Sequence, residues 1–185
     1  MAILANIVNE VKDGVVAVVK GTGEITNEVV QVARDTVVNT LKAGGDVVTT
    51  AADVAASVAQ GVVLGASETG VSVVDAARRG TEGVVSGVSE VGGDVVQASA
   101  YAVSGAVKGA SQVGGDVGQA AVAAVQGTLS AAGTVGADAS QVTSSAVTSA
   151  VKAAEEISTE TADAVKNALI GAISGAKEIL EAPLK

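Results

Sequence analysis

Polar side chains return along this chain in steps of four and three. In blocks of 22 residues, position 8 is always Asn, Gln or Asp: Asn9, Gln31, Asp53, Asp75, Gln97, Gln119, Gln141 and Asp163. Position 5 is polar from Asn6 to Glu160. Position 1 is mostly acid or amide, as at Glu68, Glu90, Gln112 and Glu156, and position 19 is often Lys, as at Lys20, Lys42, Lys108 and Lys152. This 4-3-4 rhythm matches a doubled 11-residue repeat of about 3.67 residues per turn. Apolar residues keep the same rhythm at positions 2, 6, 10, 13, 14, 17, 18 and 21. A strand would alternate strictly, whereas this polar set mixes odd and even positions. The pattern predicts an all-α fold of long amphipathic helices, arranged as an extended or hairpin helical bundle. A β-solenoid is the alternative, because Val and Thr are abundant and such folds repeat at similar length.

The frame divides the chain into eight blocks: 2–23, 24–45, 46–67, 68–89, 90–111, 112–133, 134–155 and 156–177, with a tail at 178–185. Its polar strip is narrow and its apolar face broad. A helix apolar most of the way round is surrounded, by other helices or by lipid. Glycines near the block joints mark where helices could break: Gly23, Gly44, Gly45, Gly92, Gly93, Gly114, Gly115 and Gly136. Gly suits the left-handed position after a helix, and the Asp that often follows suits an N-cap. These sites are either tight turns between antiparallel rods of roughly 30 Å or flexible points in one helix of roughly 275 Å. From Ala150 onward Gly falls and Ala, Leu, Ile, Glu and Lys rise. That stretch is the strongest helix candidate, with its stripe running through Ser158 and ending at Pro183.

Within the blocks, positions 16 and 20 hold a small pair one turn apart: Gly61 and Gly65, Gly83 and Gly87, Gly105 and Gly109, Gly171 and Gly175. Gly127 with Ala131 and Ser149 with Ala153 are related pairs. Small residues at this spacing let two helix backbones approach closely. Recurrence in phase with the block predicts a repeated helix–helix contact.

Composition sharpens this picture. Hydrophobic residues make up 48% of the chain but are almost all Ala and Val, and Tyr101 is the single aromatic. Small side chains bury little area each, so thin and close packing replaces a thick core. The net charge of −9 argues against nucleic acid, whose binding rests on Lys and Arg. It also argues against electrostatic attraction to an anionic membrane. There is no His and no Cys, so the sequence offers no nucleophilic or metal-binding constellation, and no enzyme or cofactor is expected. The acids at positions 1, 5 and 8, such as Glu90 and Asp94, read as a solvated face. Arg78 and Arg79 form the only basic doublet, with Asp75 and Glu82 at helical spacing. The uncharged run from Val117 to Ala137 is long enough to span a bilayer, yet it carries Gln119, Gln126 and Ser130 and lacks aromatic anchors. MAILANIVNEVKDG does not read as a signal peptide, which leaves a cytoplasmic location as the default.

The stretches EITNEVVQVARDTVVNTL and EGVVSGVSEVGGDVVQ resemble the tandem 11-residue amphipathic repeats of exchangeable apolipoproteins, synucleins, perilipins and late-embryogenesis-abundant proteins. Helical phasin coats of polyester granules are a similar class. The resemblance implies reversible helix formation on lipid or another hydrophobic surface. The residues themselves favour a non-enzymatic structural or scaffold protein, packed through small-residue faces within one chain or between copies. Its expected partners are itself or other helical proteins. A lipid or granule coat is the second reading, and a stress-protective chain folding on a partner is the third.

Overall fold

A computed structural model describes residues 2–44 and 51–182. Every regular element among the described residues is an α-helix: α1 (Ala2–Thr22), α2 (Asn27–Ala43), α3 (Ala51–Glu68), α4 (Val73–Glu90), α5 (Val95–Gln112), α6 (Val117–Val135), α7 (Ala139–Glu155), α8 (Thr159–Ala172) and α9 (Ala176–Glu181). Helices α4, α5, α6 and α7 start 22 residues apart, so one sequence block makes one helix and one turn. The blocks are hairpin-linked rods and not one continuous helix.

Glycine chemistry closes α3 to α6, whereas α7 ends at Glu156 and α8 at Ile173. Gly70, Gly92, Gly114 and Gly136 stand at block position 3 with φ of 73°, 75°, 68° and 74°. That left-handed backbone turns the last carbonyls inward. Gly92 N donates to Ser89 O at 3.0 Å and Gly93 N to Val88 O at 2.9 Å. Gly114 and Gly115 repeat this with Ser111 and Ala110. Gly23 is also left-handed, at 77°. Gly44 follows α2 as its C-cap, and Gly45 lies outside the described residues. Gly70 was missed in the hinge reading because it stands in Thr-Gly-Val-Ser and not in a Gly pair before an acid.

Two residues after these glycines the next helix is capped by a side chain. Asp94 accepts from Gln97 N, Asp116 from Gln119 N, Asp138 from Ser140 N and Gln141 N, and Ser72 from Asp75 N. Where position 3 is a hydroxyl residue, that hydroxyl caps instead and the helix starts two residues earlier. Thr26 does this for α2, and Ser158 does it for α8, accepting from Thr161 N. This corrects the expectation of a stripe running unbroken through Ser158. The C-terminal third forms three helices, with a second break at Ile173–Gly175, and Pro183 lies outside the described residues. Asp116→Ala is expected to lower stability by about 0.5–2 kcal/mol, read by urea unfolding, because the first-turn N–H groups lose their acceptor.

The helices stack in two layers. Odd-numbered helices form one layer and even-numbered helices the other, and each helix packs on the one two before it as well as on its sequence neighbours. An interior helix such as α4 touches α2, α3, α5 and α6. It therefore has one free strip, which explains a broad apolar face beside a narrow polar one. Position 8 lies on that strip: Gln31, Asp75, Gln97, Gln119, Gln141 and Asp163 are exposed. Val58, Val62, Val84, Val103, Val107, Val125 and Val147 are fully buried between the layers and their neighbours, with Leu169 near the C-terminal end. Val and Gly are weak helix formers, so this packing and not propensity holds the rods helical.

Candidate functional site

The recurring feature of the fold is the contact between helices of one layer, and it is built from the small pairs. A Cβ added at Gly61 would lie 2.7 Å from Val8 O, and one at Gly65 would lie 2.8 Å from Lys12 O. On the even layer, Gly83 faces Val30 O, and Gly87 would meet Arg34 O at 2.8 Å. Gly105 rests against the backbone of Ala56, and Gly127 against Arg78 O and the Thr81 hydroxyl. Gly109 is looser, its added Cβ 3.1 Å from Val63 Cβ and 3.3 Å from Gln60 O. Each of these glycines lets its helix lie directly on the main chain of the helix two before it. At all of them but Gly109, any side chain would push the two rods apart.

Gly171 and Gly175 are placed elsewhere. Nothing lies within 4 Å of a Cβ built at Gly171, which is exposed on α8. Gly175 has φ of 82° and opens α9. The reason is position: α8 is the last long helix, its chain leaves helical conformation at Ile173, and this end of the motif turns the backbone instead of packing it.

Two registers occur. Gly61 meets Val8 and Gly87 meets Arg34, each 53 residues earlier. Gly105 meets Ala56 and Gly127 meets Arg78, each 49 residues earlier. The four-residue difference is about one helical turn. In the first register the acids at position 1 close on cations across the layer. Lys12 Nζ lies 2.8 Å from Glu68 Oε1, and Arg34 Nε lies 2.9 Å from Glu90 Oε2. In the second, Gln60 Nε2 donates to Gln112 at 3.0 Å, and Lys108 Nζ lies 2.7 Å from Glu156 Oε2. Position 1 is thus a set of clamps between helices, not merely a solvated face. The step of the polar rhythm could not reveal this, since the partners are more than two blocks away. Arg79 reaches Asn27 at 3.0 Å and Glu82 at 3.8 Å.

Hydroxyls at the same interface escaped the sequence reading. Thr81 is completely buried, and its Oγ1 lies 3.0 Å from Ala124 O on α6. It also lies 2.9 Å from Ala77 O in its own helix. Ser149 stands at position 16 of α7 and donates to Ala100 O of α5 at 2.5 Å. For Ser149 a small polar residue in a glycine position was the available signal; Thr81 stands at an apolar position of the block.

The Lys12 clamp has a pH signature. Its ammonium is held above the ordinary value of 10.5, first by the hydrogen bond to Glu68 and then by that carboxylate's charge. A raised folded-state value stabilises the fold fully below 10.5, and that contribution is lost as pH rises through the folded value. Glu68→Gln is expected to abolish this alkaline loss, seen by comparing melting temperatures on either side of that range.

Among the described residues, no group of three or more His, Cys, Asp or Glu gathers to hold a metal. No described helix is long and apolar enough to cross a membrane, and the uncharged run forms α6 inside the stack. No protein-family model matches the chain, and comparison with curated proteins finds no match either.

Proposed function

We propose that the chain is a non-enzymatic scaffold whose small-residue faces join its own helices, leaving two broad outer faces for other helical proteins. The observation that carries this reading is the seating of Gly61, Gly65, Gly83, Gly87, Gly105 and Gly127 on backbones of the same chain. A face already filled by an intrachain neighbour is not free for a second copy. The outermost strips of the stack also support a finite array. Asp13, Asp35 and Asn39 are exposed along the N-terminal edge, and Asp163 and Asn167 along α8. Repeat arrays need such polar end faces for solubility.

The lipid-coat reading requires the two layers to open, because the apolar positions that would enter lipid are occupied by neighbouring helices. Exposed large hydrophobic residues among those described are Ile3, Tyr101, Ile157 and Ile170, which are scattered along the chain. Circular dichroism with sedimentation, in buffer and with neutral liposomes, tests the proposal. The expected result is one helical monomeric species, unchanged by liposomes. A defined oligomer would move the contacts between copies. A coil that becomes helical on liposomes would replace the scaffold with a coat.

A further inference from the structure

A groove of about 590 Å³ runs between α5 and α7 on the outer face of the odd layer. It exists because α7 departs from the glycine rule. At position 16, Gly105 of α5 leaves no room for a Cβ against Ala56 of α3. The equivalent residue of α7 is Ser149, whose Cβ and Oγ stand between the two helices and bond Ala100 O at 2.5 Å. Ser145 adds a second spacer, its Oγ 3.4 Å from Val96 O. Two hydroxyls thus part α7 from α5 where the preceding pair touches, and the cleft opens over Ala100.

What lines the cleft differs from the rest of the surface. Tyr101, the chain's only aromatic residue, forms one wall and is 42% exposed. Gln141, Ser144, Thr148 and Lys152 line the other. Their spacing places them along one strip of α7, a row of roughly 16 Å at about 1.5 Å per residue. No carboxylate lines the groove, so it offers a cation no charged ligand. One ammonium on a chain of net charge −9 is a poor seat for a polyanion. A linear cleft with one aromatic side chain in its wall and a row of hydroxyl and amide groups matches a chain of flat rings with apolar faces and hydroxyl rims. We propose that this groove binds a neutral, extended oligosaccharide, with Tyr101 stacking on a ring and the α7 strip hydrogen-bonding its hydroxyls.

The test is titration of the ¹⁵N-labelled full chain with a hexamer of β-1,4-linked glucose, with glucose and a hexamer of galacturonic acid in parallel. The neutral hexamer is expected to shift the amides of Tyr101, Ser144, Thr148 and Lys152 and to change tyrosine emission. Glucose should bind more weakly and the acidic hexamer no better. Tyr101→Ala is expected to weaken binding about tenfold, as loss of one stacking contact would. Ser149→Gly, which restores the residue used at this position in α3 to α6, should keep the fold, draw α7 toward α5 and weaken binding as much. Absence of shifts, shifts away from the groove, an affinity unchanged from the unsubstituted chain in either variant, or tighter binding of the acidic hexamer would overturn the assignment.

Discussion

Gly105→Ala is expected to destabilise the fold by about 1–3 kcal/mol, although Ala is the better helix former by roughly 0.5–1 kcal/mol. The added methyl has only the main chain of Ala56 to meet, and a backbone in the middle of a helix cannot step aside as a side-chain tip can. Relief requires α5 to move off α3, which also disturbs buried Val58, Val62 and Val107. Gly171→Ala is the control on the same block position. No atom lies within 4 Å of its added Cβ, so it should stabilise by about 0.4–1 kcal/mol. Urea unfolding followed at 222 nm reads both. Equal effects of the two substitutions would remove close packing as the role of the position. Gly→Leu at Gly83, Gly87, Gly105 and Gly109 together should prevent folding of the central helices, not merely change oligomer size.

Leu169→Ala is expected to cost about 2–4 kcal/mol, and the loss should be local. Leu169 is the largest of the fully buried side chains, in a core made mostly of Val and Ala. It holds α8, which packs on α6, α7 and α9 at the C-terminal end. In a stacked array each unit contacts only near neighbours, so an end can open while the middle stays closed. Hydrogen exchange should therefore accelerate in α8 and α9 and stay nearly unchanged in α3 to α5. Uniform acceleration across the chain would show a single cooperative unit. The contrast with Gly105 follows from place: one substitution cuts the array in its middle, the other frays its end.

Much of this was legible because the repeat speaks to local chemistry. Gly92, Gly93 and Asp94 announce a left-handed closure and a cap within three residues, and Gly114 to Asp116 does so again. The polar rhythm assigned the exposed strip through Gln97 and Gln119. Ser158 with Thr161 and Asp163 offers local capping in the sequence, but the apolar stripe continues on either side and hides the break. The Ser158 hydroxyl is nevertheless the acceptor that starts α8. Ser149 was legible as a small residue at a packing position, but its bond to Ala100 and that of Thr81 to Ala124 were not, since a hydroxyl's partner on another helix leaves no local trace.

The block alone determined that the chain is helical, where its rods could break, and that small residues recur on one face; that the breaks are turns and not flexible points came from the fold. The first three follow from torsional preferences and from periodicity, which act over a few residues. Only the tertiary structure decided which rod each small face meets. Adjacent rods run antiparallel and lie in opposite layers, so the glycine face of one helix reaches the main chain of the helix two before it. Only the tertiary structure also decided the one-turn change of register between the first pairs and the later ones. Both outcomes depend on contacts between residues about 50 positions apart, such as Gly61 with Val8 and Gly105 with Ala56. Backbone spacing, carbonyl position and clamp charges settle such contacts, and no stretch of sequence contains them by itself.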